Sequence, residues 1–438
     1  MPFIRGFKAL HYNPEKIDDF ANVIVPPYDI INSEMRDNLA KRSEYNFVHI
    51  DLPIDTNCKS KYENAGELFK EWQEKEIFIR DSHISAYWLR QRFTDIRGIQ
   101  MERLTLLSLI KIPLHGEENQ ILPHEKTFEK PIEDRLSLMK TTNAQLSPVF
   151  LIFSDTERHI NKVFYNLIKN ENKQPEICVT TIDGVFNEIW QTRWIEELTE
   201  IFKDKTLYIA DGHHRFKTAK HLLQEKLGSV EEIKKDRNMI EPYFYLFTGL
   251  VAFEDPGLII NAPHRVIKNI EIDYDSFFSK LSVYFNIVHI EGNPIDYIHK
   301  RENNCGDKSK TSRCFGFVDK NKGRFILELK EEGLKRLIEK QNTKALHETD
   351  VYVLHKLLFE EVLKLTPENP LIYETNPFRC IEMVEMENCS MAFLINPISP
   401  HTIKKCADNH EFMPQKATYF FPKIPSGLIV YELSNESL

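Results

Sequence analysis

The chain has 438 residues, of which 42% are hydrophobic and 28% are charged, and its formal net charge is -9 at pH 7. This length exceeds one ordinary hydrophobic core and predicts two or three structural units. The acidic balance argues against a nucleic-acid-binding surface, which normally carries an excess of Lys and Arg. Seven cysteines without a C-x-x-C pair predict reduced thiols in a cytoplasmic protein. Without an apolar signal segment or a membrane-length apolar run, neither export nor membrane insertion is expected.

The first third of the chain alternates strand-like and helical patterns. Residues 22–31, NVIVPPYDII, predict a short strand that ends at the proline pair, because proline has no N–H to donate. Apolar residues at helical spacing predict a helix over 62–76. Two strand-like segments, 85–93 and 103–112, are joined by a polar bend and predict an antiparallel pair.

A segment of nearly twenty residues, PLHGEENQILPHEKTFEKP, then lacks any regular pattern before a helix predicted over 132–143. Long loops inside compact domains are uncommon and are usually functional. Glu125 is a candidate general base and His124 a partner that could tune it. A solvated loop rich in Glu and Lys is the alternative. Arg135, in the first turn of the helix, suits an anion clamp, although pairing within the helix explains it equally well.

The segment LYIADGHHR, residues 207–215, stands at the centre of the chain's organisation. It reads as a buried strand that stops at Asp211-Gly212, followed by a helix with Asp211 as the N-cap. The unpaired N–H groups of a helix N-terminus suit an anion, and glycine lets a ligand approach the backbone. A simple Asp-Gly turn with solvated histidines is the alternative. The first turn would contain His213, His214 and Arg215.

Other patterns fill the flanking regions. A strand over 148–153 precedes a helix over 156–169, and Asp183-Gly184 is a strong two-residue hairpin signal. Residues 269–345 are more polar and predict a small α/β unit, with a loop tip at 302–313. Beyond that unit, the patterns predict a helix over 350–364, ended by Thr366-Pro367, and a buried strand over 391–395.

The segment MPQKATYFFPK, residues 413–423, predicts a short strand with Lys416 and Thr418 on one face. Its lysines fit either a solvated edge or a source of charge for a phosphate site. The chain contains no G-x-x-x-x-G-K-[ST], G-x-G-x-x-G or H-E-x-x-H motif. A nucleotide would therefore need a less familiar binding loop than these motifs provide.

Five blocks, VPPYDII, LPHEKTF, SPVFLIF, IADGHHRFKTA and MPQKATYFFPK, span nearly the whole chain and together resemble the family called domain of unknown function 1015. The DGHHR block also resembles the phosphate-binding motif of the ParB and sulfiredoxin superfamily, which includes an ADP-dependent kinase of free serine. The resemblance implies a mixed α/β (α+β) fold with a ParB/sulfiredoxin-like nucleotide-binding core. We expect a core at 1–268, the small α/β unit at 269–345 and a C-terminal segment at 346–438 that completes the core and the site.

The same resemblance implies a phosphotransferase that uses ATP or ADP with Mg²⁺ and makes O-phosphoserine from L-serine. A nucleotide-binding switch module of ParB type is the alternative, and a metal hydrolase is a weaker third reading because no ligand spacing supports it. Neither nucleic acid nor membrane is an expected partner, and the oligomeric state is open. The resemblance implies three groups of site residues. The catalytic residues are Glu125, Asp211 and His214, and Asp211 also binds the metal. The phosphate-binding residues are Gly212, His213, Arg215 and Lys416, and the substrate-binding residues are His124, Thr127, Arg135 and Thr418.

Overall fold

The computed structural model describes the chain except residues 115, 128, 171, 229–236, 299–312, 342, 366–370 and 387–388. The described residues form two compact units, each built from separate stretches of sequence. The first unit contains Met1–Leu122, Thr127–Ile259 and Pro422–Leu438. The second contains Pro123–Lys126 and Ile260–Phe421. The small α/β unit expected at 269–345 lies inside the second unit, and the expected C-terminal segment, 346–438, is divided between the two.

The strands are numbered in chain order. They are β1 Ile4–Arg5, β2 Leu10–Tyr12, β3 Phe78–Arg80, β4 Ser85–Thr94, β5 Gln100–Lys111, β6 Ile121–Leu122, β7 Ala144–Gln145, β8 Val149–Phe153, β9 Ile177–Thr180, β10 Phe186–Arg193, β11 Leu207–Asp211, β12 Tyr245–Ala252, β13 Ile259–Asn261, β14 His264–Ile267, β15 Phe285–Ile290, β16 Cys314–Asp319, β17 Gly323–Leu329, β18 Leu371–Glu374, β19 Met391–Leu394, β20 Tyr419–Phe421 and β21 Tyr431–Glu432.

Helices surround the sheets in both units. The α-helices of the first unit are α1 Ser33–Ala40, α2 Val48–Asp51, α3 Lys61–Glu74, α4 Glu129–Thr142, α5 His159–Asn170, α6 Glu196–Phe202 and α7 His213–Gly228. Those of the second unit are Tyr274–Tyr284, Glu331–Gln341, Asp350–Val353, Pro377–Glu385 and Pro400–Asp408. No helix in the described residues is both long and apolar enough to cross a bilayer.

A nine-stranded mixed sheet forms the centre of the first unit. Its strand order is β6-β11-β8-β12-β5-β4-β10-β9, and β1 pairs with β5 at the side of this path. The pairs β12–β8 and β11–β6 are parallel, and the pairs β4–β5 and β9–β10 are antiparallel. The predicted mixed α/β class with strands of both orientations is confirmed. The antiparallel pair and a hairpin at Asp183-Gly184 are also confirmed. The connection is longer than the predicted two residues: Gly184 N donates to the Thr181 carbonyl at 2.9 Å, and of the two predicted turn residues only Gly184 has a positive φ, +78°.

One face of this sheet collects polar residues. Asp211 lies opposite Phe150, which lies opposite Gly249, so the end of β11 and the middle of β12 share that face. Gly249 in turn pairs with Leu107, and because side chains alternate along a strand, Arg103 on the same strand points the same way. Asp211 and Arg103 therefore face the same side of the sheet.

The second unit is built on a six-stranded sheet of order β15-β17-β16-β19-β14-β18. Its buried residues include Val266, Cys380 and Leu394 in one apolar cluster. The predicted strand over 391–395 is confirmed as β19. The helix predicted over 350–364 begins as one α-helical turn, Asp350–Val353, and continues as a π-helix over Leu354–Val362. Its predicted stop at 366–367 lies outside the described residues, as does most of the loop tip predicted at 302–313.

One predicted strand is wrong and another is shorter than expected. In place of the strand over 22–31, the chain has the short 3₁₀ helices Phe20–Asn22 and Tyr28–Ile30 and a single bridge between Val25 and Ser426. The two prolines lack the N–H groups that would extend this bridge into a ladder. In 413–423 only Tyr419–Phe421 is extended. Lys416 has a φ of +53°, so the alternation predicted to put Lys416 and Thr418 on one face does not occur.

Candidate anion-binding site

The turn between β11 and α7 has the predicted strand-to-helix form. Asp211 is the last residue of the strand and the helix begins at His213. The Gly212 carbonyl accepts the first helical hydrogen bond, from Phe216 N at 2.9 Å, so Gly212 is the N-cap. The prediction that Asp211 is the N-cap is wrong by one residue, because Gly212 adopts a φ of +90° and makes the turn itself.

Asp211 holds two cations at this turn. Its Oδ2 atom lies 3.3 Å from Lys423 Nζ and 3.4 Å from Arg215 Nη2. Burial alone would raise the pKa of Asp211, but the charges of Lys423 and Arg215 and the hydrogen bond from Lys423 outweigh it, and the pKa lies far below its usual range. Asp211 is therefore ionised at neutral pH, and both cations are fixed beside the helix N-terminus.

Arg215 folds back over the turn. A Cβ atom at position 212 would lie only 3.1 Å from Arg215 Cζ, so glycine makes room for the guanidinium. Arg215 Nη1 donates a hydrogen bond to the carbonyl of Pro148, the residue before β8. The guanidinium is thus held from two sides, which reduces the entropy lost when it binds an anion.

Lys423 is positioned by the sheet beneath it. Its carbonyl accepts a hydrogen bond of 3.0 Å from Gln91 Nε2. Gln91 also donates to Asn187 Oδ1 at 2.9 Å and accepts from the buried guanidinium of Arg103. Asn187, Gln91 and Arg103 are directly opposite one another on β10, β4 and β5. The backbone that presents the Lys423 ammonium to Asp211 is therefore anchored to three strands.

A cavity of about 400 Å³, including space open to solvent, lies beside the turn. Its polar lining includes Tyr28, Asp51, Arg135 and Arg215. The Arg135 guanidinium stacks on the Tyr28 ring, with Cζ 4.3 Å from the ring centroid. Arg135 Nη1 donates to the Asp51 carbonyl at 2.8 Å and to Asp51 Oδ1 at 3.2 Å.

The other side of Arg135 faces Asp134, whose Oδ2 accepts from Arg135 Nη2 at 2.6 Å. Lys61 Nζ also lies 2.5 Å from Asp134 Oδ1. Burial favours the neutral form of Asp134, but the charge of Arg135 and the hydrogen bonds from Lys61 and Arg135 lower its pKa to about 2. The Arg135 guanidinium is thus shared between two carboxylates, one in its own helix and one in α2, and its role in substrate binding stays a prediction.

A second group of predicted residues lies together in the second unit. Glu125 Oε1 accepts hydrogen bonds from Ala417 N at 3.2 Å and from Thr418 Oγ1 at 3.3 Å. His124 is completely buried, and its Nε2 atom lies 3.3 Å from Thr418 Oγ1. These contacts fix the Glu125 carboxylate and connect it to the imidazole through a hydroxyl.

Lys416 adjoins this group through its backbone. The buried Arg265 Nη2 donates to the Lys416 carbonyl at 2.9 Å. Burial lowers the Arg265 pKa to about 10, and Tyr373 and Glu125 partly offset the effect. Arg265 and its neighbour His264 are both buried in β14.

The predicted site residues are thus divided between the units. Asp211, Gly212, His213, His214, Arg215, Arg135 and Thr127 belong to the first unit, and His124, Glu125, Lys416 and Thr418 to the second. Sequence reasoning missed Asp51. It considered Lys423 only as one of the two lysines of the MPQKATYFFPK block, which fit either a solvated edge or a phosphate site, and did not name it as a site residue. Asp51 belongs to no sequence motif, and only the fold places it in the wall of the cavity.

The fold and this turn define a two-unit α/β protein with a cationic helix N-terminus at the end of β11. The chain belongs to the family described as "Protein of unknown function (DUF1015)", whose model matches residues 4–352. No protein of curated function matches the chain.

Several solved structures are similar to this chain at low identity. A free serine kinase in complex with AMP is 12% identical, and the match covers 75% of this chain and 92% of that chain with a TM-score of 0.38. A conserved hypothetical protein from Pyrococcus furiosus is 13% identical, with 75% and 96% covered and a TM-score of 0.35. SbnI with a C-terminal truncation, from Staphylococcus aureus, is 9% identical, with 73% and 85% covered and a TM-score of 0.35.

Proposed function

We propose that the first unit binds the phosphates of a nucleotide at the turn formed by Gly212–Arg215. The observation that carries this proposal is the pair of cations, Arg215 and Lys423, held by Asp211 beside the N-terminus of α7. Backbone N–H groups at a helix start and two fixed cations are the groups that a phosphate chain requires. Because Gly212 has no side chain, the Arg215 guanidinium can lie directly over the turn.

On this basis the protein is a phosphotransferase that acts on a small alcohol. The oxygen of the acceptor forms a bond to phosphorus while the bond from phosphorus to the nucleotide oxygen breaks, and the acceptor proton passes to a carboxylate. Such reactions depend mainly on positioning and on neutralising charge. Arg215 and Lys423 supply that charge in the first unit. Glu125 is proposed as the proton acceptor, and the DGHHR resemblance makes L-serine the proposed acceptor.

Mg²⁺ fits this site only when the nucleotide phosphates are bound as well. Mg²⁺ at phosphate sites commonly takes one or two carboxylates and completes its shell with phosphate oxygens and water. Asp211 is the carboxylate of the turn, and within the described part of the chain no group of three or more His, Cys, Asp and Glu could hold a metal unaided. Mg²⁺ would supply charge neutralisation for the phosphates, with Asp211 as its proposed protein ligand.

The proposal is tested by incubating the protein with Mg²⁺, either ATP or ADP, and a panel of free amino acids and small alcohols, with products identified by mass spectrometry. O-phosphoserine that forms with the wild type and is lost in Asp211→Ala would support a serine kinase and identify its donor. Nucleotide binding without transfer to any acceptor would contradict a phosphotransferase and favour a switch module.

The proposed roles of Glu125 and Lys423 are tested separately. Glu125→Gln should abolish turnover and leave nucleotide binding nearly intact, since the carboxylate acts on the acceptor. Full activity in Glu125→Gln would exclude Glu125 as the proton acceptor. Lys423→Met should weaken nucleotide binding itself, because it removes one of the two cations at the turn.

A further inference from the structure

Asp51, at the end of α2, is a buried carboxylate that is only half satisfied. Its side chain is almost completely buried, at 2% exposure. Oδ1 accepts from Arg135 Nη1 at 3.2 Å. Among the described residues, no donor makes a hydrogen bond to Oδ2. A hydrogen bond from the Ser426 hydroxyl lowers the Asp51 pKa, and the same hydroxyl shares a hydrogen bond of 2.7 Å with Ser147 Oγ in which either group can donate.

A buried carboxylate requires compensation by an opposite charge. The compensation for Asp51 is incomplete, because Arg135 is shared with Asp134. Burial therefore outweighs the effect of Arg135 and Arg215 and raises the pKa of Asp51 above its usual value. A second cationic donor at Oδ2 would complete the set of partners.

Asp51 also lines the cavity beside the DGHHR turn, together with Tyr28, Ser147 and Arg215. The enclosed part of this cavity measures about 30 Å³, which is room for an ammonium group, and it opens into a wider space shared with solvent. Its wall combines the Asp51 carboxylate with Arg215, one of the two cations of the proposed phosphate site. An ammonium group in this cavity would therefore lie next to phosphates bound at the turn, with the rest of its molecule in the open part.

The charges favour entry of a cation after the nucleotide. Four carboxylates, Asp29, Asp51, Asp134 and Asp211, and four cations, Lys61, Arg135, Arg215 and Lys423, belong to this group, so their formal charges balance. The phosphates of ADP or ATP add negative charge, so the occupied site becomes net negative. A cationic group then gains both from Asp51 and from the phosphates.

We propose that Asp51 Oδ2 binds the primary ammonium group of the acceptor, a small molecule that carries both an ammonium and an alcohol. This inference rests on the proposed phosphotransferase function and adds the recognition of the acceptor. Asp51 is a binding residue, which distinguishes it from Glu125, the proposed proton acceptor. Binding is ordered, with the nucleotide first and the ammonium-bearing acceptor second.

The test compares two acceptors that differ at the ammonium group, L-serine and 3-hydroxypropionate. Asp51→Asn is expected to lower kcat/KM for L-serine by on the order of 100-fold, the effect of removing one partner of a buried ion pair. The kcat/KM for 3-hydroxypropionate should change by no more than about threefold, since this acceptor has no ammonium group for Asp51 to bind. The Kd for nucleotide should be unchanged, which also shows that the variant is folded.

Asp134→Asn is the matched control. It removes the other carboxylate that binds Arg135, but Asp134 does not line the cavity. Any change in activity should therefore be equal for the two acceptors. An equal loss of kcat/KM for both acceptors in Asp51→Asn would overturn the assignment of Asp51 to the ammonium group. Phosphate transfer by the wild type would still support the kinase in that case.

A direct measurement of L-serine binding tests the ammonium site independently of phosphate transfer. L-serine is titrated into wild type and Asp51→Asn that have been saturated with ADP and Mg²⁺, with calorimetric detection. Binding by the wild type that Asp51→Asn lacks would support the ammonium site even if no transfer occurred. Equal binding by both proteins, or binding by neither, would overturn it.

Discussion

Gly212 is the residue on which the geometry of the proposed phosphate site most depends. It follows the last residue of β11, caps α7 and leaves the space into which Arg215 folds. Its φ of +90° is a conformation that side-chain-bearing residues adopt only with strain. The same residue therefore sets the backbone and the position of the guanidinium.

Gly212→Ala should weaken nucleotide binding by on the order of tenfold or more, because the new methyl group displaces Arg215 and its charge-assisted bonds. Isothermal titration with ADP and ATP would measure the change. Gly184→Ala is the control, since Gly184 has a φ of +78° but nothing within 4 Å of the new Cβ. It should lower stability by about 1 kcal/mol and leave binding unchanged. Equal binding by Gly212→Ala and wild type would contradict the proposed position of the phosphates.

The two buried aspartates should affect stability with opposite dependence on pH. The pKa of Asp211 is depressed in the folded state, so its contribution is present above the ordinary aspartate pKa of about 3.9 and is lost as pH falls through the folded pKa. The pKa of Asp51 is raised, so its contribution is present below about 3.9 and is lost as pH rises through the folded pKa.

Urea unfolding of wild type, Asp211→Asn and Asp51→Asn across pH 3 to 6 would test this difference. From about pH 3 upward, the wild type should gain stability relative to Asp211→Asn. Above about pH 4 it should lose stability relative to Asp51→Asn. Parallel pH profiles for the two variants would show that the environments of the two carboxylates do not differ as described.

At the residue scale, the sequence predicted the groups that belong to a contiguous motif. Gly212 and Arg215 are adjacent to their partners in the chain, so spacing alone placed them on one helix turn. Lys423 lies more than two hundred residues from Asp211, and only the fold joins them. The wrong placement of Lys416 and Thr418 has a local cause, the left-handed backbone at Lys416, which the strand pattern does not reveal.

At the scale of elements, three strands support the site through a row of polar side chains. Asn187, Gln91 and Arg103 lie side by side across β10, β4 and β5. Burial lowers the Arg103 pKa to about 9, partly offset by Asp255, and the guanidinium packs 4.8 Å from the centroid of Phe150. The row links the interior of the sheet to the Lys423 carbonyl.

Gln91→Leu should destabilise the first unit by about 2–4 kcal/mol, because it leaves a buried guanidinium and a buried carbonyl without their partner. It should also weaken nucleotide binding, since the Lys423 backbone loses its anchor. Gln91→Glu separates the two effects: it keeps an acceptor for Arg103 but removes the donor to Lys423. We expect Gln91→Glu to retain more stability than Gln91→Leu and to bind nucleotide as weakly. Normal binding by both variants would rule out a positioning role for Gln91.

Elements with a strong hydrophobic period were predicted well. The strands β4, β5 and β11, the hairpin between β9 and β10 and the helix α7 all follow from apolar spacing and from Gly or Asp at the turns. The strand predicted at 22–31 failed because its apolar residues are buried by tertiary contacts, without a ladder of hydrogen bonds. The π-helix at Leu354–Val362 has the same apolar spacing as an α-helix, so its sequence predicts only a helix.

At the scale of the whole molecule, the C-terminal segment Pro422–Leu438 belongs to the first unit. It pairs with the N-terminal region at Leu10–Val430 and Val25–Ser426 and through β21 with β7. Arg5 Nη2 donates to the Leu438 carbonyl at 2.7 Å. The two ends of the chain therefore complete one core and place Lys423 in the site.

Truncation after Phe421 should prevent the first unit from folding. The lost segment buries six large apolar side chains, Ile424, Leu428, Ile429, Val430, Tyr431 and Leu433. Each stabilises the fold by about 1.5–3 kcal/mol, which together is comparable to the 5–15 kcal/mol of a typical domain. Hydrogen exchange should show loss of protection in β4, β5 and β12. Full protection of these strands in the truncated chain would contradict this assignment of the segment.

The mixed α/β class could be predicted from the sequence because strand and helix patterns alternate along the chain. The division into units could not, since Pro123–Lys126 and Pro422–Leu438 belong to units that are distant in sequence. Periodicity describes local segments, and it contains no information about which segments return to an earlier core. The predicted boundaries at 268 and 345 followed composition for this reason.

The central claim is that the turn at Gly212–Arg215 binds nucleotide phosphates, and direct titration of ADP and ATP in the presence of Mg²⁺ tests it most directly. We predict saturable binding by the wild type and a loss of about 10- to 100-fold in affinity for Arg215→Ala, the effect of removing a charge-assisted contact. Lys220→Ala, which removes a charge farther along the same helix, should bind normally. Absence of binding to either nucleotide, or equal affinity for Arg215→Ala and wild type, would contradict the account.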